Sequence, residues 1–148
     1  MKKGKAIQLK LSRMLPASPE EVFDMWLDSD SFRRWMRPSD ADVVYVELHP
    51  IVGGTFRFDL REKDGSIVVH SGHYLEIQRP HKLSFTWNST VLGDRSSLVT
   101  VEFHKQADSC LMVLIHDLPP DNVIFDDHRR GWSLILDRFA EAYSARKL

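Results

Sequence analysis

The spacing of apolar residues changes period three times along the chain, and each change marks a new kind of element. From Ala6 to Leu15, Ile7, Leu9 and Leu11 alternate with Gln8, Lys10 and Ser12, the period of two that predicts a half-buried strand. Ser18-Pro19-Glu20-Glu21 then places a capping hydroxyl, a proline at the first helical position and a carboxylate three residues on, so a helix starts there. Its apolar face holds Val22, Phe23, Trp26 and Leu27. Asp28-Ser29-Asp30 allows a break and a second cap before a short turn carrying Phe32, Trp35 and Met36, and Arg37-Pro38 ends it. Six strands are predicted next. Val43 to Leu48 stops at His49-Pro50. Gly54 to Arg61 and Ile67 to Ile77 flank the hairpin signal Lys63-Asp64-Gly65-Ser66. After Pro80, Leu83, Phe85 and Trp87 alternate with Ser84, Thr86 and Asn88. Leu98 to His104 and Leu111 to His116 flank the polar turn Gln106 to Ser109, and the last strand is apolar on both faces, which suits a covered position. Beyond Pro119-Pro120, Trp132, Ile135, Leu136, Phe139, Ala142 and Tyr143 recur at three and four residues, one stripe of a long helix whose wet side carries Arg138, Arg146 and Lys147.

One strand, two short helices, six antiparallel strands and one long helix leave few packings. A sheet with one polar face needs a cover on the other, and the last helix is long enough to provide it. The fold expected is α+β, a curved seven-stranded antiparallel sheet wrapped around the C-terminal helix. Residues 1–148 form one domain in this reading. Interior positions toward one end of the sheet are aromatic, which fits a pocket walled by large rings.

Composition narrows the partners. The chain has 148 residues, 43% apolar and 28% charged, with a formal net charge of −1 and no block of Lys or Arg, which argues against nucleic acid as a partner. No apolar run reaches the roughly 18 to 20 residues that cross a bilayer, so no membrane insertion is expected. Met1-Lys2-Lys3-Gly4-Lys5 lacks the apolar stretch of a secretion signal, and the expected location is the cytoplasm. Asn88-Ser89-Thr90 has the form of a glycosylation sequon and is read instead as a turn between strands. Cys110 is the sole cysteine: no internal disulfide or cysteine metal cage can form, and no cationic neighbour lowers its pKa. No cofactor and no metal is implied.

Several segments together resemble a known family: Leu15-Pro16-Ala17-Ser18-Pro19-Glu20-Glu21-Val22-Phe23, Phe32-Arg33-Arg34-Trp35, Gly53-Gly54-Thr55-Phe56-Arg57-Phe58, Leu83-Ser84-Phe85-Thr86-Trp87 and Gly131-Trp132. In order and spacing they are similar to homologues of the C-terminal domain of the heat-shock-protein-90 ATPase activator, within the START-like, polyketide cyclase-like lipid-transfer superfamily. The resemblance implies the helix-grip fold over nearly the whole chain. It also implies an interior cavity lined from Trp35, Phe56, Phe58, His70, Tyr74, Phe85, Trp87, His116 and Trp132. The last strand departs from the family pattern, because Asp108-Ser109 stands where Gly-Thr is usual, although His116 is kept.

Other readings weigh against the sharpest ones. Core packing is favoured for Trp132 and Phe85, since large rings dominate cores with or without a ligand. A histidine hydrogen-bonded into the wall is the commoner role for His70 and His116, and Tyr74 is similarly balanced. Gly131 is read as a close backbone approach, and Gly53-Gly54 as a turn or bulge with no following helix to hold an anion. His70 and His73 fall on opposite faces of a strand and cannot share a metal. Asp126-Asp127-His128 could ligate, but acidic residues there also suit the positive end of the last helix. Three functions remain. The preferred one is uptake of a small apolar or aromatic molecule, oriented by one or two of His70, Tyr74 and His116. A cyclase- or hydrolase-type enzyme using the same cavity and a chaperone-associated interaction module are the alternatives, and homodimerisation is left open.

Overall fold

The computed structural model describes residues 5–146. Lys147, expected on the wet side of the last helix, and the first four residues of the N-terminal reading lie outside the described residues. Strand β1 spans Ile7–Leu15, helix α1 Pro19–Leu27 and helix α2 Ser29–Trp35. Strands β2 (Asp42–Leu48), β3 (Thr55–Arg61), β4 (Ile67–Gln78), β5 (Lys82–Ser89), β6 (Ser97–Gln106) and β7 (Ser109–Leu118) follow, and helix α3 runs from Asn122 to Arg146. The seven strands form one antiparallel sheet in the order β1-β7-β6-β5-β4-β3-β2, the α+β helix-grip architecture expected. β7 lies between β1 and β6, a central position, with Leu111 and Ile115 on its outer face half-buried.

The local signals act as predicted. The Ser18 hydroxyl accepts the Glu21 amide while the Glu21 carboxylate reaches back to Ser18, closing the capping box of α1. Asp28 ends α1 and caps α2, accepting the Ser31 amide at 3.2 Å. Two turns are tighter than expected. Gln106 and Ser109 pair with each other, so the last hairpin turns on Ala107 and Asp108 alone, with Ala107 at φ 53°. Asn88 and Ser89 close β5 rather than forming a turn, and Thr90 opens a short 3-10 turn to Leu92.

Alternation sends one side chain set from each strand under α3: Phe56, Phe58 and Leu60 from β3, His70, Gly72 and Tyr74 from β4, Leu83, Phe85, Trp87 and Ser89 from β5. Helix α3 answers with Trp132, Ile135, Leu136, Phe139 and Tyr143, all buried. Each is worth about 1.5–3 kcal/mol when removed from water, so packing of this stripe rather than helix propensity holds the helix on the sheet. Trp26 joins the layers, its ring 4.7 Å from Trp35, 5.9 Å from Phe139 and 6.3 Å from Trp132.

Helix α3 corrects two expectations. It begins at Asn122, where the Asp121 carboxylate accepts the amides of Val123 (2.9 Å) and Ile124 (3.1 Å). Asp126-Asp127-His128 therefore sits inside the helix, past the first turn where the dipole acts, and Asp121 carries the capping role. Arg138 is not on the wet side. Its side chain is 14% exposed, and Nη1 donates to the carbonyls of Arg37 (2.6 Å) and Ser39, binding the loop before β2 to the helix. Pro38, between those carbonyls, rests against Gly131, where an added Cβ would lie 3.1 Å from the proline ring.

Candidate functional site

The space between the concave sheet and α3 is divided by Trp87 into two unequal parts. On one side Trp26, Leu27, Phe32, Met36, Phe56, Tyr74, Leu83 and Phe85 close on a void of about 10 Å³, room for at most one water. On the other, a partly open recess of about 60 Å³ is bounded by His70, Trp87 and Ser89 from the sheet and His128, Gly131 and Trp132 from α3. Pro38, Val91 and Asp127 lie at its margin.

Strand register assembles the sheet wall. His70 lies directly opposite Ser89 across β4 and β5, and Trp87 is two residues before Ser89, so all three side chains share the face that meets the helix. The His70 ring stacks on Phe58 at 4.6 Å with 2° between planes, and lies 5.1 Å from Trp87. His70 Nδ1, Trp87 Nε1 and Ser89 Oγ are buried with no hydrogen-bond partner among the described residues. Native interiors leave few such atoms, and three on one recess is a feature that needs a cause.

His116 is arranged differently. Trp132 Nε1 donates to His116 Nδ1 at 2.9 Å, so Nε2 carries the proton and donates to Ser97 Oγ at 2.7 Å. The Ser97 hydroxyl passes on its own proton to the Trp87 carbonyl at 2.8 Å. Both ring nitrogens are thus committed, and the ring is held neutral: burial, reinforced by nearby His128, pulls His116 well below the usual imidazole value. Burial also pulls His70 down to about 4, with His128 adding to the effect and Asp59 opposing it. The Tyr74 phenol is raised by burial, and burial pushes the Cys110 thiol up to about 11, leaving no thiolate near neutrality. Among the described residues no three His, Cys, Asp or Glu side chains cluster to hold a metal ion.

The nine cavity residues expected from sequence are distributed over three settings. Phe56, Tyr74, Phe85 and Trp87 line the small void. His70, Trp87 and Trp132 line the recess. Trp35, Phe58 and His116 line neither space; Trp35 and Phe58 pack against Phe32 at 5.2 and 5.1 Å, and His116 is bound as described.

A family model described as Activator of Hsp90 ATPase homolog 1-like protein matches residues 16–144. The chain belongs to this family. Solved structures agree on the fold. A protein from Chromobacterium violaceum superposes with a TM-score of 0.83 at 22% identity, covering 90% of this chain and 94% of its own. An AHSA1-like protein from Aeromonas hydrophila gives 0.77 at 24% identity with 94% of each chain covered, and a protein from Rhizobium leguminosarum gives 0.81 at 23%, covering 95% and 96%. No curated protein sequence matches the chain. The Activator of Hsp90 ATPase homolog 1-like fold is consistent with a ligand-binding domain. No helix among the described residues is long and apolar enough to cross a membrane.

In this family member, sequence reasoning missed Ser89, Ser97 and the site role of His128. The serines acquire their roles only through the register of β4, β5 and β6, which local pattern does not reveal. His128 carried a usable signal: it precedes Trp132 by four residues and so shares its face of the helix.

Proposed function

We propose that the domain is a cytoplasmic binding module that takes up a small apolar or aromatic molecule between its concave sheet and α3. One observation carries this reading: three buried polar atoms without partners among the described residues belong to residues bounding a single recess, beside the rings of Trp87 and Trp132. The aromatic walls supply affinity and the polar atoms supply orientation. At about 25 cal/mol per Å², each ~100 Å² of apolar ligand surface removed from water contributes about 2.5 kcal/mol before ordering costs. Phe56, Tyr74 and Phe85 lie across Trp87 from the recess, on the smaller void. A catalytic reading draws less support, because His116 has both nitrogens engaged and neutral His70 is a weak base near pH 7.

Native mass spectrometry of gently purified protein, together with a thermal-shift panel of small aromatic compounds, tests the reading. The expected result is a co-purifying small molecule or a compound that raises Tm and loses that effect in Trp87→Ala. Absence of any adduct and of any Tm change across the panel would sink it.

A further inference from the structure

We propose that the recess beside Trp87 selects a neutral oxygen-bearing group, such as the carboxamide, ketone or phenol end of a ring compound, over a carboxylate or an ammonium. This rests on the small-molecule reading above and adds the chemistry of the ligand. The chain has four tryptophans. Trp26 donates to Met112 Sδ at 3.3 Å, Trp35 to the Met25 carbonyl at 3.2 Å and Trp132 to His116 at 2.9 Å. Of the four, Trp87 has an indole N–H that is buried without an acceptor among the described residues.

An indole N–H can only donate, so the group that meets it must offer a lone pair. An alkylammonium has none. Ser89 Oγ can donate or accept, and His70 Nδ1 does either according to its tautomer. A carboxamide matches this set, its carbonyl accepting from Trp87 and its amide proton going to His70 or Ser89. A carboxylate would also find donors, but no Lys or Arg lines the recess, and the charged residue at its margin is Asp127. Arg130 pairs with Asp127 at 4.0 Å and is 77% exposed. The recess also lies along the second to fourth turns of α3, beyond the positive first turn that could hold an anion. Stripping water from a carboxylate there costs several kcal/mol without a countercharge.

Size sets the rest. A cavity of about 150 Å³ takes one benzene, so a space of about 60 Å³ takes roughly two or three non-hydrogen atoms, the polar end of a ring compound. A polar space of this size has room for water in the free protein. A purely apolar group would displace it without replacing its hydrogen bonds, so it binds less well than an oxygen-bearing one.

The test uses four compounds of similar shape, benzamide, benzoate, benzamidine and toluene, titrated into the whole ¹⁵N-labelled chain while the four indole N–H signals are followed. Trp87→Phe identifies the Trp87 signal by its loss and keeps an aromatic wall. The expected result is a saturable shift of the Trp87 signal with benzamide, at least tenfold tighter than with benzoate, benzamidine or toluene. Ser89→Ala should weaken benzamide five- to tenfold at unchanged Tm. Benzoate or benzamidine binding as tightly as benzamide overturns the inference. Toluene binding as tightly, with Ser89→Ala silent, overturns it while leaving small-molecule uptake standing. If none of the four moves any interior signal, both readings fall.

Discussion

Replacing His70 with phenylalanine should make folding less sensitive to mild acid. The imidazole is 7% exposed and stacked on Phe58, a setting a phenyl ring can occupy, so the substitution removes a titrating group with little change of shape. In the folded protein His70 titrates near 4 and His116 well below its usual value, whereas both return to about 6.5 on unfolding. With both folded values depressed, the unfolded chain binds more protons as the pH drops below 6.5. Stability is therefore full above that pH and is lost on acidification, for His70 down to about 4. Between pH 7 and pH 5.5 His70 removes about 1 kcal/mol, and His116 adds a loss of the same sign. Against a total of roughly 5–15 kcal/mol the loss is measurable. Urea unfolding followed by tryptophan fluorescence at half-unit steps of pH measures it. The wild type should lose more than about 1 kcal/mol over that interval at constant m-value, and His70→Phe about 1 kcal/mol less than the wild type. Wild-type stability that stays flat from pH 7 to 5.5 would refute the burial argument, and an unchanged slope in His70→Phe would refute its assignment to His70.

Three further substitutions probe the scaffold of the site by the same unfolding assay. Ser97→Ala leaves the His116 Nε2 proton and the Trp87 carbonyl without their partner, and should cost about 1–3 kcal/mol; a loss below 0.5 kcal/mol would mean the chain of bonds does not form. Gly72→Ala should be more damaging, at about 2 kcal/mol or above, because the new methyl would lie 1.9 Å from the Thr86 carbonyl and 2.6 Å from the Phe56 ring; a neutral result would place the strands further apart than described. Arg138→Met keeps the aliphatic stem but removes both bonds to the loop before β2, with an expected loss of about 1.5–3 kcal/mol and faster cleavage before Asp40 by an aspartate-specific protease; unchanged cleavage would show that the loop is held by something else.

The elements were readable because their signals are local. Ser18 and Glu21 are three residues apart, Asp64-Gly65 is one dipeptide, and the stripe from Trp132 to Tyr143 repeats within a single helix. What escaped depends on partners distant in sequence. Nothing around Arg138 distinguishes it from a solvated arginine until the carbonyls of Arg37 and Ser39 are brought to it across about a hundred residues. Ser97 and His116 are nineteen apart and meet through the β6–β7 pairing. The start of α3 was obscured because Asp126 to Arg130 is a polar run, and only Ile124 is fully buried in the turns before Gly131. All nine residues that the family resemblance implied for a cavity are buried, but burial alone does not separate rings that meet open space from rings that meet one another.

Because Arg138 grips the carbonyls on both sides of Pro38, a single guanidinium two turns along the helix fastens the margin of the recess. Releasing both bonds at about 1.5 kcal/mol each would leave the loop open in on the order of one molecule in a hundred. The clasp thus keeps one edge of the recess in a fixed shape in nearly every molecule, so a ligand seated there meets a wall formed in advance and need not order that loop on binding.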